Sequence, residues 1–122
     1  MEIIIYGTYE DYRTVKEDME ILPEMQYRII NCEHAATYDD FLLLLRKKTP
    51  DMVMVLADGA EGMEGIIASQ TICPRAVKIW ITNDKGFGIQ AYRMNCAYFA
   101  VKPITEDLIS KAYRAYREAG NQ

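Results

Sequence analysis

Residues 50–65 read PDMVMVLADGAEGMEG, and they are the most informative part of the sequence for the architecture. Residues 52–56 are apolar at every position, which is typical of a strand in the middle of a parallel sheet that is covered on both faces. A glycine-rich loop is predicted over residues 58–62, followed by a short helix around Ile66.

Four further apolar runs lie on either side of this strand, and a stretch with helical spacing follows each of them. The runs are residues 3–6, 27–30, 77–81 and 97–101. Threonines are predicted to begin three of the helices as N-caps: Thr8, Thr37 and Thr105. Because strand and helix alternate five times, the pattern predicts an α/β sandwich with a parallel sheet.

The composition restricts the classes of function. A chain of 122 residues and 14.0 kDa is long enough for one compact domain, predicted over residues 1–122. Its net charge of -4 argues against a uniformly basic nucleic-acid surface, and no apolar run is long enough to span a membrane. Three cysteines without CxxC spacing argue against a disulfide framework or a zinc site, so we expect a cytoplasmic protein with reduced thiols.

Nucleophilic and nucleotide-binding enzymes also lack their usual motifs. His34 is the only histidine, and no GxSxG, GxGxxG or GxxxxGK[ST] sequence is present. Cys32 and His34 share one face if the second strand extends that far, a weak hint of a Cys-His nucleophile. No third group that would orient the histidine is evident, so the preferred interpretation is that the two residues lie in a loop and have no catalytic role.

Ligands of open α/β sheets bind outside the carboxyl ends of the strands. That edge is predicted to comprise Gly7-Thr8, Asn31-Cys32, residues 56–58, Thr82-Asn83 and Lys102. Any pocket chemistry is expected there.

Three stretches resemble the receiver domain of two-component response regulators, the CheY-like class. They are PDMVMVLADGAEGMEG (50–65), VKIWITNDK (77–85) and AYRMNCAYFAVKPIT (91–105). The resemblance covers the chain and implies a flavodoxin-like (βα)5 three-layer sandwich with strand order 2-1-3-4-5. Residues 88–103 are especially similar to receivers that precede LytTR-type DNA-binding domains.

The resemblance also implies a chemistry, phosphoryl transfer from a partner histidine kinase to an aspartate that ends the third strand. Acids after the first strand help to hold Mg²⁺, while Lys102 neutralises phosphoryl oxygens. Thr82 is the switch hydroxyl, Phe99 rotates inward, and the Lys102-Pro103 peptide is cis. Each of these residues also has an alternative role. Lys102 is paired with Asp58 or solvated. The next helix is capped by Thr82 or Asn83, and Phe99 is a core aromatic.

The sequence departs from the family pattern where the phosphoryl group would bind. Gly7-Thr8 stand where the family has acids, and the phosphoacceptor position falls on Leu56 or, counted back from Gly65, on Ala57. Asp58 is the nearest carboxylate. Two residues further along a strand is roughly 6–7 Å, so Asp58 is expected beyond the reach of Lys102 and Thr82 unless the loop folds back. With only Asp58 and Glu61 on a flexible loop as ligands, Mg²⁺ binding is predicted to be lost.

The preferred hypothesis is therefore a non-enzymatic pseudo-receiver that regulates by protein-protein contact, without itself binding nucleic acid or a membrane. A protein partner or a second copy is expected on the face made by the fourth helix, fifth strand and fifth helix. That face carries four tyrosines: Tyr92, Tyr98, Tyr113 and Tyr116. Tyr113 is expected to show an edge, because it lies beside the apolar stripe, and aromatics are enriched at interfaces.

Two alternatives stay open. One is a phosphorylatable receiver that uses Asp58 in a phosphorelay with a histidine kinase. The other is a flavodoxin-like protein or enzyme that binds a small ligand over the strand ends, with residues 59–62 around an anion.

Overall fold

The computed structural model describes residues 1–120, which form five parallel strands and five helices. The sheet has the order β2-β1-β3-β4-β5. Its strands are β1 (Glu2–Tyr6), β2 (Asn31–Ala35), β3 (Met52–Val55), β4 (Val77–Thr82) and β5 (Tyr98–Val101). The helices are α1 (Tyr9–Glu20), α2 (Tyr38–Lys47), α3 (Gly59–Ile72), α4 (Gly88–Arg93) and α5 (Glu106–Gly120). This is the predicted flavodoxin-like three-layer fold with the predicted strand order.

Each face of the sheet is covered by helices, so the structure has two apolar cores. On one face, Ile3 and Ile5 of β1 pack with Val15 of α1 and Ile109 of α5. On the other face, apolar residues of β1 and β3 pack with α2, α3 and α4 (Ile4, Tyr6, Val53, Phe41, Ile66 and Ala91). All four residues of β3 are buried, as its uniform apolarity predicts.

The predicted helix starts are confirmed at three threonines. The Thr8 and Thr37 hydroxyls accept hydrogen bonds from the backbone N–H groups three residues later, each at 3.2 Å. Thr105 accepts one from the Leu108 N–H at 3.1 Å. These caps satisfy N–H groups that have no partner inside the helix.

The second strand lies later in the chain than predicted. Residues 27–30 were expected to form it, but β1 pairs with Asn31–Ala35, starting from Glu2 opposite Asn31. Tyr27 and Ile29 are instead 91% and 80% exposed. The carboxyl edge at β2 is therefore Ala35 and not Asn31-Cys32. A partly polar strand is acceptable here because β2 is at the edge of the sheet.

Helix α3 begins earlier than predicted and is longer. The glycine-rich segment was expected to be a loop, but Gly59 is the first residue of a 14-residue helix, with Asp58 at the N-cap position. Gly59 has a φ of 63°, a left-handed conformation that glycine adopts without strain. Glu61 consequently lies in the first helical turn and not on a flexible loop.

No helix in the described part of the chain is both long and apolar enough to cross a lipid bilayer.

Candidate functional site at the carboxyl edge of the sheet

A cleft of about 350 Å³ lies where β1, β3 and β5 end. Its lining includes Gly7, Leu56, Asp58, Glu61 and Lys102. The loops after parallel strands meet at this edge, which brings together residues that are far apart in the sequence.

Lys102 is the centre of an ionic cluster in this cleft. Its ammonium nitrogen lies 2.7 Å from Asp11 Oδ2 and 3.0 Å from Asp58 Oδ1. Asp58 Oδ1 also accepts a hydrogen bond of 3.0 Å from the Asn83 backbone N–H. The Lys102 side chain is only 16% exposed, so water screens these pairs less than it screens surface pairs.

The expectation that Asp58 lies beyond the reach of Lys102 was wrong. It assumed that the chain continues as a strand past Leu56, but β3 ends at Val55 and the chain turns into α3 at Asp58. The positive φ of Gly59 belongs to this turn. The turn directs the Asp58 carboxylate back over the sheet edge towards Lys102.

Asp11 is a member of the site that the sequence interpretation did not identify. It lies in the first turn of α1, where its backbone N–H donates to the Thr8 cap. An acid in the first turn of the helix that follows a parallel strand necessarily lies near the carboxyl edge. The same Thr8-Asp11 spacing that predicts the cap could therefore have indicated this carboxylate.

None of the positions where the resemblance expects acids has a carboxylate. Leu56 is fully buried and Ala57 is 9% exposed. The Thr8 hydroxyl accepts from the Asp11 N–H as a helix cap. A Cβ atom added at Gly7 would lie 2.8 Å from Leu56 Cβ, which is closer than two carbons normally approach, so position 7 has no room for a side chain in the present packing.

The available carboxylates do not fit a magnesium site. Among residues 1–120, no group of three or more His, Cys, Asp or Glu side chains is close enough together to hold a metal ion. Asp11 and Asp58 both contact the Lys102 ammonium, a cation that competes for the same oxygens. Mg²⁺ requires near-octahedral oxygen ligands, and this arrangement does not offer them.

Thr82 and Phe99 lie on the paired strands β4 and β5. Thr82 is fully buried at the end of β4, and within residues 1–120 its hydroxyl has no hydrogen-bond partner. The next helical turn is capped by Asp84, which accepts from the Gly86 N–H at 2.8 Å, so neither Thr82 nor Asn83 is the cap. Phe99 is half-buried and packs edge-on against Trp80, with ring centroids 5.6 Å apart.

The Lys102-Pro103 peptide bond is cis, as the resemblance implies.

Cys32 and His34 do share a face of β2, but they do not form a nucleophilic pair. His34 stacks on Tyr12 with ring centroids 4.5 Å apart, and its Nε2 is 2.8 Å from the Gly7 carbonyl oxygen. Burial raises the pKa of the Cys32 thiol, which disfavours the reactive thiolate.

The four tyrosines of the last third of the chain differ in exposure. Tyr92 on α4 is 85% exposed, while Tyr98 and Tyr116 are half-buried. Tyr113 was expected to show an edge, but it is only 3% exposed. It extends the buried stripe of α5 by one position beyond Ala112, and its ring is tilted by 30° against that of Tyr116, with ring centroids 6.0 Å apart.

No protein-family model matches this sequence, and no curated protein does. Solved structures do match. A CheY-like response regulator receiver domain protein from Methanospirillum hungatei is 19% identical, with a TM-score of 0.76 over 98% of this chain and 96% of that one. A response regulator from Thermotoga maritima is 17% identical, with a TM-score of 0.73 over 95% and 97%.

The pilus assembly protein CpaE from Caulobacter crescentus is also similar, at 16% identity and a TM-score of 0.74 over 93% of this chain and 97% of that one. At such identities the likeness concerns the backbone. Together with the strand order and the three-layer packing, it shows that this chain has the CheY-like receiver fold of response regulators.

Proposed function

We propose that this protein is a pseudo-receiver, a signalling module that keeps the receiver fold but takes up no phosphoryl group at the end of β3. The observation that carries the proposal is the contact between Gly7 and Leu56. The acceptor position falls on Leu56 or Ala57, which are 0% and 9% exposed, and a Cβ added at Gly7, where the family has an acid, would lie 2.8 Å from Leu56 Cβ. None of these three residues has a side-chain oxygen to bind a metal ion or a phosphoryl group.

The charges of the cleft support the same proposal. A transferred phosphoryl group needs cations to offset its charge. Lys102 is the one cationic side chain in the described lining of the cleft, and within residues 1–120 no cluster of three or more metal-ligating side chains is present to hold a second cation beside it. We propose that the cleft binds no Mg²⁺ and that the protein is not an enzyme.

The proposed output is contact with another protein, through α4, β5 and α5. Three large apolar side chains are exposed on α4 and β5: Ile89 (64%), Tyr92 (85%) and Val101 (40%). A groove of about 380 Å³ lies between Tyr92 and the end of α5 at Glu118. Exposed aromatic and aliphatic groups together are typical of the centre of an interface.

The occupant of this face is proposed to be a second copy or a regulatory protein in the cytoplasm. The similarity of residues 88–103 to LytTR-associated receivers favours a role in transcription regulation, with DNA contacts made by another domain.

The test of the pseudo-receiver proposal is incubation with acetyl phosphate and Mg²⁺, followed by intact-protein mass spectrometry. We expect no phosphoryl adduct. In parallel, beryllofluoride with Mg²⁺ is expected to leave the ¹H–¹⁵N NMR spectrum unchanged near Lys102. A stoichiometric adduct on an aspartate would overturn the proposal.

A second candidate function rests on the distance between Asp58 and Lys102. Asp58 Oδ1 lies 3.0 Å from the lysine ammonium, and the Asp58 side chain is 43% exposed. This carboxylate is therefore accessible to a phosphodonor and next to a cation, as in a receiver that is phosphorylated by a histidine kinase. An adduct that is lost in Asp58→Asn and retained in Asp84→Asn would establish this function.

The interaction face has a separate test. Tyr92→Ala combined with Ile89→Ser is expected to reduce self-association in sedimentation equilibrium, or to reduce capture of a cognate effector domain where the protein is monomeric. The matched control is Tyr27→Ala combined with Ile29→Ser, which alters the same two residue types where they are even more exposed, before β2. If both pairs behave alike, the face is not an interface.

A further inference from the structure

Another cleft lies at the opposite edge of the sheet from Lys102. It has a volume of about 650 Å³ and lies just before the starts of β3 and β4. We call it the basic cleft and define it by six of its lining residues: Leu45, Arg46, Lys48, Pro50, Ile72 and Arg75. Its volume is in the range of small-molecule sites, which is roughly 300–1,000 Å³.

The floor of the basic cleft is apolar and held in place. Leu45 is 2% exposed, and Pro50 is also buried. The Cys73 thiol donates to the Leu45 carbonyl at 3.3 Å, which joins the end of α3 to the end of α2. The Val77 backbone N–H donates a hydrogen bond of 3.0 Å to the Asp51 carbonyl, which joins the loop before β4 to the loop before β3. The site is therefore preformed, and a ligand would not need to order it.

The rim of the basic cleft carries positive charge. Arg46, Lys48 and Arg75 line the cleft, and no Asp or Glu side chain does. Lys48 is 3.7 Å from Glu33, a pair of partly exposed side chains that contributes little. Within residues 1–120, Arg46 and Arg75 form no ion pair, so two arginines without a carboxylate partner line one cleft of a chain whose net charge is -4.

A helix end accounts for the position of Arg46, in the last turn of α2, but not for that of Arg75, which lies between α3 and β4. Basic residues in the last turn of a helix interact favourably with its free carbonyl groups. Here the Leu45 carbonyl accepts from the Cys73 thiol, and the Cys73 carbonyl accepts from the buried Lys78 side chain. The guanidinium groups of Arg46 and Arg75 form no hydrogen bond to these carbonyls, so they remain able to bind a ligand.

We propose that the basic cleft binds a small anionic amphiphile, an aliphatic chain that ends in a carboxylate or phosphate. Arg46 and Arg75 hold the anionic head, because a guanidinium matches the oxygens of both groups. Leu45 and Ile72 contact the chain. No aromatic side chain lines the cleft, so it offers no surface on which a nucleobase would stack. This site is independent of the signalling function proposed above.

The experiment is a titration of ¹⁵N-labelled protein with octanoate, followed by NMR. We expect saturable shifts of the backbone amides of residues 45–49 and of residues 72, 73, 75 and 76, and binding that is roughly fourfold tighter for each methylene from hexanoate to octanoate. Arg46→Gln combined with Arg75→Gln is expected to weaken octanoate binding at least tenfold. The control is Arg93→Gln combined with Arg114→Gln, which makes the same charge change on exposed arginines elsewhere and should leave binding intact.

Three results would overturn the proposal. Equal binding of uncharged octanol would show that the arginines select no anion. Equal loss of affinity in both double variants would show a general charge effect. Binding to vesicles that contain anionic phospholipid, without any shift by monomeric octanoate, would show a membrane-facing surface instead.

Discussion

The Lys102 ammonium lies 2.7 Å from Asp11 Oδ2, although the two residues are 91 positions apart in the sequence. Asp58 Oδ1 lies 3.0 Å from the same nitrogen. The lysine thus links α1, the β3–α3 turn and the end of β5. The two carboxylates therefore share one ammonium at the carboxyl edge of the sheet.

Replacement of this lysine should destabilise the fold. In Lys102→Met, the Asp11 and Asp58 carboxylates face one another without a cation, and we expect a loss of about 1–2 kcal/mol in the free energy of unfolding by urea. Adding Asp11→Asn should restore part of it. The control Lys111→Met removes an exposed pair with Asp107 and should have little effect. Equal losses in the two single variants would contradict this account.

Gly7 should tolerate no side chain. Gly7→Ala places a Cβ 2.8 Å from Leu56 Cβ, which is on a buried strand end and cannot move freely. We expect a loss of about 1–3 kcal/mol in the unfolding free energy, typical of overpacking. Gly120→Ala, where a Cβ meets no atom within 4 Å, is the matched control and should leave stability unchanged or slightly raised. A stable Gly7→Ala variant would remove the main support for a filled acceptor site.

Stability should fall at alkaline pH because of Cys96. Burial raises the pKa of this thiol from 9.0 to about 11 in the folded protein. Between these two pKa values the folded state keeps a proton that the unfolded state loses. The contribution of the Cys96 thiol to the free energy of unfolding is therefore complete below pH 9 and is lost as pH rises through 11. By pH 11 the loss amounts to about 2 kcal/mol.

The measurement for Cys96 is guanidinium unfolding under reducing conditions at pH 8, 9.5 and 11. Cys96→Ala should be less stable than the wild type at pH 8 by a cavity cost that is independent of pH. The difference in unfolding free energy between the wild type and Cys96→Ala should become smaller as pH rises. A constant gap over this range would mean that Cys96 does not titrate as described.

Lys78 should have the opposite dependence on pH. It is 2% exposed, and burial lowers the pKa of its ammonium below the 10.5 of the unfolded chain. The unfolded state binds more protons between the two values, so this group costs stability at low pH and the cost disappears as pH rises towards 10.5. Lys78→Met should accordingly be more stable than the wild type at pH 7, with a difference that shrinks at alkaline pH.

Thermal unfolding of both proteins at pH 7 and pH 10 tests this. Lower stability of Lys78→Met at pH 7 would show that the bond from Lys78 to the Cys73 carbonyl outweighs the cost of burial.

Several elements could be predicted because their causes are local. The apolar run of residues 52–56 predicts a buried central strand, and β3 lies within it, fully buried. The three threonine caps depend on contacts between residues three apart, and all three form. The second strand could not be placed in this way, because residues 27–30 have more apolar side chains than 31–35. Pairing with β1 decided between them.

The site depends more on the tertiary structure. The sequence predicts correctly that Leu56, Ala57 and Asp58 follow the third strand. The predicted separation of Asp58 and Lys102 was too large, because the two side chains are 3.0 Å apart. Distances along an extended strand do not apply where a glycine of positive φ turns the chain into a helix. Tyr113 is a second case, because packing of α5 on the sheet decides which tyrosine is covered.

The alternation of strands and helices along the chain, the helix caps and the absence of carboxylates at positions 7, 8, 56 and 57 follow from the amino-acid sequence. These properties depend on residue type and on short spacings along the chain. Three other features follow from the folded arrangement. Asp11 and Asp58 share one lysine, Leu56 excludes a side chain at Gly7, and Arg46 and Arg75 line one cleft. Such contacts arise where the sheet and its helices bring distant segments together, and no local pattern encodes a distance between them.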